Sequence, residues 1–136
     1  MWLLYAGLAA LFAALTAVLA KVGLDGVNAS LGLAVRTTAA LVLAWLVVFW
    51  SGAQRDLPGL DRRGLVFLVL SGLATGFSWL FYFQALKHGP VSKVAPVDKL
   101  SVVLTIILAA VFLGEPVGLK TALGCGLILA GLWALL

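Results

Sequence analysis

Two uncharged apolar runs, Trp2 to Ala20 and Gly64 to Leu86, set the first constraint on this chain: they are 19 and 23 residues long. As helices rising 1.5 Å per residue they extend about 28 to 35 Å, the thickness of a bilayer's hydrocarbon core. With 64% hydrophobic and only 10% charged residues, a soluble globule of this size has no interior large enough to hide its apolar side chains. The solvent expected for this chain is lipid. The apolar residues come in unbroken blocks, whereas membrane β-strands alternate apolar and polar positions, so helices are expected and a barrel is not. At about 20 residues per crossing, 136 residues hold some five crossings. The expected fold is all-α: one polytopic bundle of about five transmembrane helices over roughly 2–20, 31–50, 64–86, 94–114 and 119–136, its termini on opposite sides of the membrane. The first run has no basic residues before it, which favours a retained helix over a cleaved leader.

Connections separate the blocks. Lys21 to Ser30 mixes charge with turn formers, Ser51 to Arg63 reads as the one fully aqueous loop, and Gly114-Glu115-Pro116-Val117-Gly118 makes a short turn that forces an antiparallel hairpin. Basic residues divide evenly across the membrane. Arg55, Arg62, Arg63 and Lys120 are expected on one side, and Lys21, Lys87, Lys93 and, if it reaches the interface, Arg36 on the other. Two readings follow from that balance: a chain that inserts both ways and pairs as an inverted dimer, or one orientation fixed by the dense Arg62–Arg63 pair. Cys125 is a lone cysteine inside an apolar block, so no internal disulfide can form.

The polar residues inside the blocks are the candidates for function. Ser71, Thr75, Ser78 and Tyr82 recur at offsets of four, three and four, which puts them on one helical face with Trp79 and Phe83 beside them. Such a stripe lines a small-molecule cavity, or else it packs, its hydroxyls bonded to their own backbone. Asp98 and Lys99 are costly, since an ionised group near the bilayer centre costs roughly 2.5 to 3.5 kcal/mol. A helix beginning at Pro96 would leave Asp98 in its first turn. One beginning near Ser92 would carry Asp98 about 9 Å deeper, heading a second stripe with Ser101 and Thr105. Arg36 is needed within the second crossing, because Thr37 to Trp50 alone is only 14 residues. Its stem either snorkels to the interface or pairs with Asp98. Ala122, Gly126 and Ala130 form a small-residue packing face on the last helix. His88 has no companion at ligand spacing, so no metal is expected; no cofactor, catalytic motif or nucleic-acid partner is expected either.

From Gln84 onward, Ala85, Leu86, Gly89, Pro90, Pro96, then Phe112-Leu113-Gly114-Glu115, and finally Gly124, Leu127, Ile128, Ala130 and Gly131 resemble the EamA family of the drug/metabolite transporter superfamily. The resemblance implies one five-helix repeat, where the usual members carry two inverted repeats around a mid-membrane cavity. A lone repeat then needs a partner. The implied function is secondary transport of a small metabolite, an amino acid being one candidate, by alternating access as an antiparallel homodimer in the cell membrane. Ser78, Trp79, Tyr82, Thr75, Arg36, Asp98, Lys99, Ser101 and Thr105 are the candidate substrate contacts, with Asp98 as a proton-coupling acid. The Asp98–Lys99 pair departs from the general family pattern. Other readings are a half-size lipid-carrier flippase subunit, a small-multidrug-type cation exporter and a non-transporting membrane scaffold.

Overall fold

The computed structural model describes residues 1–136 and is entirely helical, with no strand. Its chain contacts divide into two compact units, Met1–His88 and Gly89–Leu136.

The first unit contains α1 (Trp2–Gly23), α2 (Ala29–Ser51) and α3 (Arg62–His88), each long and apolar enough to cross a membrane. The α1–α2 connection is a tight reversal. Gly26 takes φ 69° there, a backbone region that only glycine visits freely, and Asn28 caps α2 by accepting the Ser30 N–H at 2.9 Å. Gly52, at φ 77°, ends α2, and a short 3-10 segment at Ala53–Gly59 leads to α3. Both α1 and α2 pack on α3. The buried residues Ala17, Leu24, Ala29, Phe83 and Leu86 gather where α1 ends, α2 begins and α3 ends. Two of these are alanines, as expected where lipid removes the hydrophobic drive between helices and close van der Waals approach must replace it. Elsewhere the helices turn apolar side chains outward. Trp2 and Trp50, at helix ends, are 74% and 94% exposed, as interfacial aromatic anchors are.

The second unit is one interrupted span followed by a hairpin. Pro90 precedes α4 (Val91–Asp98), and its carbonyl accepts the Lys93 and Val94 N–H groups at 3.0 Å. The span therefore starts ahead of Ser92 with Pro96 inside it, so the second of the two starts weighed above is the observed one. Pro96 has no N–H to offer the carbonyl of Ser92. Two residues beyond Asp98 the chain resumes as α5 (Leu100–Leu108); at the break, Lys99 N–H bonds Pro96 O at 2.9 Å and Val102 N–H bonds Lys99 O at 3.0 Å, both tighter than α-helical bonds. Ala109–Leu113 then widens into a π-helical turn. Gly114, at φ 68°, closes the span, with Glu115 N–H reaching Ala109 O at 3.3 Å. Together Val91–Leu113 suffices for a crossing, and α6 (Leu119–Leu135) is a shorter apolar helix packed against α4 and α5. At 17 residues it extends about 25 Å, within the range of a membrane crossing.

Candidate functional site

In the first unit, two lysines join the helix ends. Lys21, near the end of α1, donates from Nζ to the carbonyl of Leu86 near the end of α3. Lys87 donates in return to the Val27 carbonyl at 2.7 Å. The last carbonyls of a helix carry its partial negative charge and lack intrahelical donors, so the Lys21 ammonium at Leu86 is both a hydrogen-bond partner and a dipole counter-charge, whereas Val27 lies in the α1–α2 connection. The sequence gives these lysines only as interfacial charges. Their reach across to a neighbouring element is a property of the packed unit.

Above this joined end lies a cavity of about 600 Å³, inside the usual size range of small-molecule sites. Thr16, Leu19, Ala20 and Gly23 line it from α1, Leu24 and Val27 from the connection, Leu31, Gly32, Val35 and Arg36 from α2, and Phe83 from α3. Space exists partly because Gly32 lacks a side chain. A Cβ there would stand 2.7 Å from Leu24 Cδ2, and Leu24 is buried. Gly32 and Arg36 are four apart, so the gap lies one turn from the guanidinium on the same helix face.

Arg36 is the one charged side chain on the cavity wall. It lies about 10 Å along α2 from Ala29. Its guanidinium carbon sits 4.1 Å from the centroid of the Trp79 ring and 5.4 Å from that of Phe83, while Tyr82, half-buried, interacts with its charge. Within this unit no carboxylate lies at ion-pair distance from it. Cation–π contacts return about 0.5 to 2 kcal/mol, less than the roughly 2.5 to 3.5 kcal/mol that an arginine at the membrane centre costs. Aromatic faces engage the cation without accepting its N–H donors in conventional hydrogen bonds, and a guanidinium has five of these to offer a further partner.

The remaining candidates distribute as follows. Trp79 and Tyr82 join Arg36 on α3's half-buried side, and Phe83 reaches the cavity itself. Ser78 is exposed, and Thr75, also exposed, donates its hydroxyl to Ser71 O at 2.9 Å, the local backbone bond that leaves a helical threonine satisfied. In the second unit Asp98 and Lys99 pair with each other at 3.4 Å. They are 38% and 58% exposed, about 10 Å from the start of the span at Val91. The tight turn at Lys99 separates Asp98 from the exposed Ser101 and Thr105, so no continuous helix holds these three in one register. Ala122, Gly126 and Ala130 are exposed along α6, and a Cβ added at Gly126 would meet nothing within 4 Å.

Beyond geometry, the model of the EamA-like transporter family matches residues 1–136. The chain belongs to that family. It is also 45% identical over 130 residues to a protein from Sinorhizobium sp described as "Uncharacterized transporter in cobO 3'region", covering 96% of this chain and 92% of the relative. No solved structure matches it. As an EamA-like protein with several membrane-spanning helices, the chain is a multi-pass transporter of the cell membrane, of the drug/metabolite type and of the length of a single repeat. Within this EamA-like chain Arg36 is the one α2 wall residue that the sequence singles out; the α1 wall residues and Gly32 are not marked by it. Thr16 and Ala20 are four apart, as are Gly32 and Arg36, so each pair shares a helix face, and that spacing on either side of a short turn was the available signal.

Proposed function

We propose that this chain is a secondary transporter that moves a small metabolite by alternating access and works as a homodimer, its two copies antiparallel. The observation that carries the reading is a cavity bordered by only three helices, with one intramembrane arginine on its wall. A charge within a membrane span that only aromatic side chains offset is a cost that a transport pathway explains and a passive scaffold does not. A second copy completes the enclosure. The even distribution of basic residues suits insertion in both directions, and the open Ala122–Gly126–Ala130 face of α6 suits close backbone approach by a partner helix.

In this scheme Arg36, Trp79 and Tyr82 contact substrate. Asp98 carries the coupling proton with Lys99 as its counter-charge, and the interruption at Pro96 to Lys99 is where the span bends as access alternates. Broken helices in transporters expose backbone groups only where they line a cavity. Proteoliposome uptake measured across a pH gradient tests the coupling role. Asp98→Asn is expected to abolish the gradient dependence; an unchanged dependence removes Asp98 from the mechanism. Reporters fused at Leu136 that signal from both sides of the membrane are the expected result for antiparallel copies. Purification only as a complex with a different chain would favour a flippase subunit instead.

A further inference from the structure

We infer that the α1–α2–α3 cavity takes a small monocarboxylate with an apolar body, and that it discriminates against the corresponding amino acid. The inference rests on reading this cavity as the transport site and adds the chemical class of its occupant. Three observations carry it. Arg36 is the one charge on the wall, its guanidinium carbon 4.1 Å from the centroid of the Trp79 ring, and a guanidinium is a fork of donors that fits two carboxylate oxygens. The rest of the wall is overwhelmingly apolar, with Leu19, Leu24, Leu31, Val35 and Phe83 offering surface for a hydrocarbon body and Thr16 a single hydroxyl. No Asp or Glu lines the cavity, so an α-ammonium carried in beside the carboxylate would lose its water and find no counter-charge. A finite cavity of about 600 Å³ suits a free acid of modest size better than a two-chain lipid.

The test uses the full chain in phosphatidylcholine nanodiscs and three probes of nearly equal shape: isocaproate, isocaproamide and leucine, titrated by calorimetry. Isocaproate is expected to bind at least about tenfold more tightly than either of the others, the worth of one charge-assisted bidentate contact. Arg36→Gln is expected to bring the acid-over-amide preference down to about unity, and Arg36→Lys to restore it in part, since lysine keeps the charge without the fork. The probe series on the unaltered chain stands even if a variant fails to fold. Equal binding of acid and amide, tighter binding of leucine, or displacement of isocaproate by phosphatidylglycerol would each overturn the assignment, the last by giving the cavity to a lipid headgroup. Flux into proteoliposomes separates the two readings. Selective binding without flux keeps this inference and refutes transport through the site, whereas flux of other solutes without acid-over-amide selectivity refutes this inference alone.

Discussion

Gly32 and Gly114 are the residues whose lack of a side chain the structure uses most directly, and for different reasons. At Gly32 the constraint is space. A valine there would drive its branched Cβ against buried Leu24, so Gly32→Val should lose about 1 to 3 kcal/mol and partly fill the cavity. Thermal unfolding in nanodiscs, followed by tryptophan fluorescence, would register this as a lowered Tm together with weaker binding of the isocaproate probe. At Gly114 the constraint is the backbone. Nothing crowds an added Cβ, yet φ is 68°, so Gly114→Ala should cost about 1 to 2 kcal/mol by backbone strain alone and leave probe binding untouched. Equal effects of the two substitutions on binding would contradict this division. Of these two roles the sequence discloses one: a glycine followed by Glu-Pro reads as a helix stop, but a glycine between two leucines in an apolar block reads as ordinary packing.

At the scale of elements, α3 is held by two lysine contacts, one from α1 and one to the α1–α2 connection, and the fourth crossing is broken at Lys99, three residues beyond a proline. Lys21 is half-buried and Lys87 exposed, so water competes far more for the second contact than for the first. Lys21→Met should therefore destabilise the first unit by about 1 to 2 kcal/mol and Lys87→Met by clearly less. Hydrogen exchange at the backbone amides of Leu24 to Val27 should rise in the same order. Pro96→Ala should act in the opposite direction on stability, because it restores a donor for the Ser92 carbonyl and removes a ring clash whose full cost in a helix interior is about 3 kcal/mol. We expect a higher Tm and slower uptake in proteoliposomes. A faster transporter would show that the break is not where the span bends.

For the whole molecule, the governing fact is a short chain whose apolar side chains are mostly exposed and whose first unit holds a cavity bordered by three helices. Native mass measurement from lipid nanodiscs should return twice the chain mass, and Gly126→Leu, by bulking the open face of α6, should shift the population toward single chains with a matching loss of flux. A variant that dissociates yet transports at the original rate would remove the need for a second copy.

The sequence by itself determined the solvent, the fold class, the succession of apolar crossings and the family, because each depends on the length and order of apolar blocks and turn residues, which are local. What only the tertiary structure decided is which face of each crossing points inward. In lipid the outward residues are as apolar as the packed ones, so the periodicity that marks the core face of a soluble helix is nearly silent here. The serine and threonine stripe of α3 drew attention because it was polar, yet Thr75 bonds its own backbone, while the cavity wall is made largely of leucine, valine and glycine. Arg36 was legible as a costly residue. That it stacks on Trp79 at the edge of a cavity, and that Lys21 and Lys87 fasten the end beneath it, follows from the way α1 and α2 both pack on α3, a juxtaposition of segments more than 40 residues apart that no local pattern encodes.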